Sequence, residues 1–156
     1  MFESRKWGEV MARIPSPIRI RRDGVEYVSN VERTKYTLLE LTRAALKDVA
    51  RFLRRRMLDK ARKMPGMKRG RRIPNAFQYW VRRRETDLII GIKHDTWYGA
   101  DQELGTNGQP KRSVLRQTAY ENINEIRKIQ GKYLSAIEDE NRALGLIDEN
   151  EEIGDD

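Results

Sequence analysis

Apolar positions change their period several times along the chain. Ile18-Arg19-Ile20-Arg21 alternates apolar and basic residues, as a half-buried strand does. Pro15 and Pro17 bracket an extended approach to it. Asp23-Gly24 offers two residues that tolerate positive φ, and Val25-Glu26-Tyr27-Val28 reads as the return strand, so a hairpin is predicted over about 18–28. From Thr34 to about Met64 the period lengthens. Leu38, Leu39, Ala45, Leu46, Val49, Phe52, Leu53, Met57 and Ala61 lie mostly three or four apart with no Gly or Pro between them. That spacing predicts one long helix, ended by Pro65-Gly66. Phe77, Tyr79 and Val81 then alternate within 76–83, and Asp87 to Lys93 forms a shorter, more apolar run. Separated by Arg84-Glu85-Thr86, the two runs predict an antiparallel hairpin.

Thr96 to Leu104 reads as a further extended piece, broken by Gly105-Thr106-Asn107-Gly108. Ser113 is the expected N-cap of a last helix running to about Glu140, with Leu115, Ala119, Ile123, Ile126, Tyr133, Leu134 and Ile137 as its apolar stripe. Gly131 inside that helix weakens it by ~1 kcal/mol relative to Ala. The predicted class is α+β: a long helix in the first half and a C-terminal helix, packed on a small antiparallel sheet, with an N-terminal β-hairpin. Residues 1–140 are expected to form a single domain. Residues 141–156 are too poor in apolar side chains to hold themselves in place, and are expected to be a flexible acidic tail.

Composition narrows the picture. In 156 residues, hydrophobic side chains make up 38% and charged ones 36%, which implies a modest core beneath a heavily charged surface. The net charge of +8 is unevenly spread: residues 1–100 hold 25 basic and 11 acidic side chains, and residues 101–156 hold 7 and 13. A basic body with an acidic end suits nucleic acid, and suits equally a subunit whose basic face meets a neighbour's acidic face. The longest strongly apolar stretch, Leu88-Ile89-Ile90 extended past Gly91 by Ile92, falls far short of the ~20 residues a membrane-spanning helix needs. No membrane association is expected.

Candidate chemistry is sparse. Cysteine is absent, which excludes disulfides, thiol nucleophiles and cysteine metal sites and fits a reducing cytoplasm. His94 is the one histidine, so a triad of histidine ligands is impossible. No phosphate-cradling glycine motif occurs; Gly131-Lys132 is followed by Tyr133 in a helical stretch. Asp87, Asp95, Asp101 and Glu103 were weighed as a two-metal nuclease cluster, but Gly91 occupies the position before Lys93 where such a core needs an acid. Trp80 and Trp97 read as packing residues. No catalytic residue, cofactor or metal is expected. The densest positive charge is Arg54 and Arg55 on the long helix, with Lys68, Arg69, Arg71 and Arg72 in the loop after it, where phosphate or an acidic partner would be met.

The most informative stretch is Trp97-Tyr98-Gly99-Ala100-Asp101-Gln102-Glu103-Leu104-Gly105-Thr106, followed by Gln109-Pro110 and by Val114-Leu115-Arg116 at the start of a helix. It resembles the head–tail joining, or tail-completion, family of long-tailed bacteriophages. Members of that family show a Tyr-rich strand ending in Glu-apolar-Gly-Thr, a short loop with Pro, and an apolar-Leu-Arg start to the last helix. Tyr98, Glu103, Leu104, Gly105, Thr106, Leu115 and Arg116 carry the match. Residues 34–138 follow the same order of elements. Two departures are visible: Met64-Pro65-Gly66-Met67 stands where the family has a Pro-x-x-Thr-Gly loop, and Ser113-Val114 stands where it has Pro-Phe.

The resemblance implies a non-enzymatic virion protein of the neck, assembled in the host bacterial cytoplasm. It implies a homo-oligomeric ring, a hexamer or one matching the connector's symmetry. Such a ring docks on the head connector or stopper protein, receives the tail tube or tail terminator, and leaves a channel for DNA. The residues themselves leave two alternatives open: a basic DNA- or RNA-binding module, and, less favoured, a hydrolase or nuclease around Asp87–Glu103.

Overall fold

The N-terminal hairpin forms where alternation and the Asp-Gly pair place it. In the computed structural model, which describes residues 14–64, 76–82, 84–93, 101, 103–108 and 110–153, strand β1 is Ile18–Arg22 and strand β2 is Val25–Ser29. They pair antiparallel with Ile20 opposite Tyr27. Asp23 and Gly24 both take positive φ, 50° and 81°. That is the turn whose twist matches the strands it joins. Almost every residue of this hairpin is exposed.

Helix α1 follows directly as Val31–Lys63, thirty-three residues without a break. At about 1.5 Å per residue it is about 50 Å long. Its buried side chains fall on one row four apart: Thr37, Leu41, Ala45, Val49, Leu53, Met57 and Ala61. Leu38 and Leu39, expected in the apolar stripe, are exposed instead, because that row runs back from Ala45 through Leu41 and Thr37. The Thr37 hydroxyl donates to the carbonyl of Arg33 at 3.1 Å, which is how a polar residue sits on the buried row.

Strand β3 (Phe77–Arg82) and strand β4 (Asp87–Ile92) form the second hairpin, Phe77 opposite Ile92 and Arg82 opposite Asp87. Phe77 is buried, and the half-buried Leu88, Ile90 and Ile92 share its face. The helices after it are α2 (Val114–Glu121), α3 (Ile123–Leu134) and α4 (Glu140–Ile153). The single helix expected from Ser113 to Glu140 is therefore divided. Gly131 is not the cause, since it lies inside α3. Asn122 breaks the run: its side-chain amide donates to the carbonyl of Thr118 at 2.8 Å, a local bond that competes with the helical ladder.

The class is α+β, as the periodicities predict. Where one domain over 1–140 is expected, the chain divides into two compact units. One holds the described residues up to Ala44 with those from Tyr133 onward, and the other is Ala45–Lys132. In the second unit Val49, Leu53, Met57 and Ala61 of α1 pack with Phe77 and Val114, and Leu88, Ile90, Ile92, Ile126 and Ile129 close around them. Met57 is nearly inaccessible, and truncating such a residue to Ala typically costs about 2–5 kcal/mol.

The first unit corrects the reading of the acidic end. Residues 140–153 are helical, not a loose tail, and Ala143, Leu146, Ile147 and Asn150 are buried at helical spacing. Asp139 caps the helix, its carboxylate accepting from the backbone N–H of Asn141 at 3.0 Å and of Arg142 at 3.3 Å. The buried Asn150 amide donates to the Ala44 carbonyl of α1 at 3.0 Å, and Arg33 meets Glu140 at 2.5 Å. Composition counts apolar residues; it does not register that three of them and an amide line one face.

Candidate functional site

The stretch from Asp101 to Arg116 is built around a carboxylate. Asp101, Glu103 and Leu104 are helical rather than extended, which corrects the expected strand. The N–H of Gly105 bonds to the Asp101 carbonyl at 2.8 Å and closes the turn. Gly105 takes φ 81°, the left-handed conformation that ends a helical turn at low cost only for glycine. An added Cβ would lie 3.0 Å from the backbone nitrogen and the Cβ of Lys111. Glycine therefore permits both the reversal and the close return of the chain.

The return brings Glu103 to the start of α2. Both carboxylate oxygens accept from the Leu115 N–H at 3.1 Å, and one accepts from the Arg116 N–H at 3.3 Å. These are two of the donors that the first turn of a helix leaves unpaired. A negative charge there is also favoured by the helix dipole. Ser113, the expected cap, occupies the N-cap position in a left-handed conformation (φ 46°, ψ 45°) and makes no side-chain cap bond. A glutamate ten residues upstream does that work instead.

The other predicted motif residues divide around this cap. Leu115 packs against the core, and Arg116 extends outward with its guanidinium 5.9 Å from the centre of the Tyr120 ring. Glu103 therefore takes the backbone of Arg116 rather than its charged head. Leu104 and Thr106 are exposed. The Thr106 hydroxyl, expected to cap the turn, makes no hydrogen bond among the described residues. Tyr98 lies outside the described residues, as do His94, Asp95 and Trp97.

The basic candidates are largely engaged within the chain. On α1, Arg51 meets Asp48 at 2.8 Å, Lys60 meets Glu121 at 3.0 Å, and Arg62 and Arg43 lie near Asp59 and Glu40 at 3.8 and 3.7 Å. Arg54 donates to the Phe77 carbonyl at 3.1 Å, tying the helix to β3. Arg55 and Arg56 are exposed with no acidic partner among the described residues, and Arg56 stacks over Phe52 at 5.3 Å. Lys68, Arg69, Arg71 and Arg72 lie outside the described residues.

Among the described residues, no cluster of three or more metal-ligating side chains occurs. Asp87 pairs with Arg82 through two bonds, that to Nε being 2.7 Å, and Glu85 joins the same arginine. The hydrogen bond from Arg82, with its charge, holds the Asp87 carboxyl below the usual carboxylate range, and the same bond raises Arg82. Both carboxylates described from the weighed nuclease set beyond Asp101 thus have structural partners. No described helix is long and apolar enough to cross a membrane. No family model, curated protein or solved structure matches the chain.

Two surfaces stand out that sequence reasoning did not assign. Trp80, read as a packing residue, is 72% exposed on the outer face of β3, opposite an exposed Ile89. The first hairpin exposes Ile18, Ile20, Val25 and Tyr27. Strand alternation was the available signal: it shows which residues share a face, and not whether anything covers that face.

Proposed function

We propose that this chain is a non-enzymatic structural subunit of the neck of a long-tailed bacteriophage, forming a ring that joins the tail to the head connector and leaves a channel for DNA. The observation that carries the reading is the Glu103 cap. The two segments that resemble the tail-completion family, Glu103-Leu104-Gly105-Thr106 and Leu115-Arg116, are joined by direct bonds and so form one structural device. Glycine at 105 and glutamate at 103 each have a physical reason in that device. A structural role agrees with it, because the motif's carboxylate is engaged in holding a helix.

The test is genetic and visual. Deleting the gene from its phage is expected to yield filled heads and complete tails that do not join, and reconstruction of intact particles is expected to place the protein at the neck. Normal virions from the deletion would overturn the proposal.

Arg55 and Arg56 support a second reading, a DNA- or RNA-binding module, since they are the exposed cations of α1 left without acidic partners. That reading requires an affinity that falls steeply with salt. Absence of binding to duplex and single strands at low salt removes it.

A further inference from the structure

We propose that copies of this chain associate head to tail, the β1–β2 hairpin of one copy laying its Ile18, Ile20, Val25 and Tyr27 face on the Trp80–Ile89 face of the β3–β4 hairpin of the next. The inference rests on the reading of the chain as a self-assembling subunit and adds the contact that assembly would use.

The register defines the first face. Directly opposed residues of an antiparallel pair share a side of the sheet. Ile18 with Ser29, Ile20 with Tyr27 and Arg22 with Val25 therefore lie on one side, and Arg19, Val28, Arg21 and Glu26 on the other. The four apolar members of the first side are 51%, 54%, 60% and 69% exposed for Ile18, Ile20, Tyr27 and Val25. A two-stranded hairpin with neither face packed is marginal in water, so this one lacks the layer that would stabilise it.

The second face is of matching kind. Trp80 and Ile89 are opposed on the outer side of their hairpin, flanked by Gln78 with Gly91 and by Arg82 with Asp87. Gly91 contributes no side chain, and the space where one would sit is open. Arg82 and Asp87 neutralise each other across the strands. The result is a flat, locally neutral platform with a large aromatic at its centre, suited to a second sheet face packing on it.

Charge selects the occupant. Counted by folded unit, the residues up to Ala44 and from Tyr133 hold 10 basic and 15 acidic side chains, a net of −5, and Ala45–Lys132 holds 22 and 9, a net of +13. The first hairpin belongs to the acidic unit, and the Trp80–Ile89 face belongs to the basic one. A symmetric contact of hairpin on hairpin would bring like units together, and would set Arg19, Arg21 and Arg22 of both copies side by side. The head-to-tail contact joins opposite charges. It also uses two different patches of one chain, the arrangement that closes into a ring when the rotation allows.

Cross-linking tests the contact. The chain has no cysteine, so Arg22→Cys and Gln78→Cys, each exposed and each flanking one face, introduce unique thiols. Treated with a bifunctional maleimide at high protein concentration, a mixture of the two variants is expected to give a covalent dimer. Each variant alone should give far less. Adding Ile20→Asp to the first, or Trp80→Asp to the second, should lower the yield about tenfold or more, since a charge would enter an apolar contact. Circular dichroism checks that these exposed substitutions leave the fold intact.

No dimer in the mixture, or a dimer that Trp80→Asp does not reduce, overturns the contact. The outcome separates from that of the gene deletion. A failed cross-link beside unjoined heads and tails removes the hairpin contact and keeps the neck reading. A specific cross-link beside normal virions does the reverse.

Discussion

Replacing Glu103 with Ala tests whether a side chain outside α2 holds the start of that helix. The substitution leaves the N–H groups of Leu115 and Arg116 without the acceptors they now have at 3.1 and 3.3 Å. Loss of an N-cap side chain costs about 1 kcal/mol, and loss of a negative charge at a helix N-terminus adds about 0.3–1 kcal/mol. The expected destabilisation is thus about 1.5–2 kcal/mol. At roughly 2–4 °C per kcal/mol for a protein of this size, the thermal midpoint should fall by about 3–8 °C. Urea titration followed by far-ultraviolet circular dichroism measures the free energy directly. Glu103→Gln keeps one acceptor oxygen and should lose about half as much, which separates the hydrogen bonds from the charge. Ser113→Ala is the control. As the nominal N-cap it ought to matter, but it makes no cap bond, so its effect should stay within about 0.5 kcal/mol. A Glu103→Ala variant as stable as the wild type, or a Ser113→Ala variant just as damaged, would refute the assignment.

Gly105→Ala should cost about 2–3 kcal/mol in the same titration, because the new Cβ meets the Lys111 backbone while the residue is held at positive φ. Gly131→Ala and Gly145→Ala should each stabilise by about 1 kcal/mol, since both glycines are helical with open space where a Cβ would go; a loss of stability would show that close approach fixes the glycine. Asp87 has a lowered folded pKa, so its pairing with Arg82 contributes stability above the ordinary aspartate range, and that contribution disappears as pH falls through the depressed value. Asp87→Asn should therefore flatten the acid limb of a plot of stability against pH, and an unchanged limb would show that the pair contributes nothing.

Much of the architecture was readable because it is local. Asp23-Gly24 between alternating runs specifies a hairpin turn, and an uninterrupted period of three to four specifies α1. Phe77, Tyr79 and Val81 were assigned to one face of a strand, and Phe77 is buried in the core there. What escaped reading is settled between distant residues. The end of the chain looks too polar to fold, yet α4 is tied to α1 through Asn150 and Ala44, which lie 106 positions apart. The cap of α2 was assigned to its neighbour Ser113, whereas the carboxylate in place comes from Glu103. Glu103 was singled out through a resemblance to known proteins, and its physical task could not be deduced from its neighbours in the sequence. The division of the last helix at Asn122 lies between these cases: asparagine competes with helical backbone anywhere, and tertiary structure decides where it succeeds.

The remote cap also bears on the order in which the chain acquires its structure. Eight residues are too few for a helix to persist alone in water, so α2 has little existence before Glu103 is in place. Its thirty-three-residue counterpart α1 is under no such restriction and can form early. If the cap closes after the main barrier, weakening it should leave the refolding rate nearly untouched and accelerate unfolding. A chevron for Glu103→Ala shifted on its unfolding arm is the expected signature, and a shift confined to the refolding arm would place the turn at Gly105 within the nucleus instead.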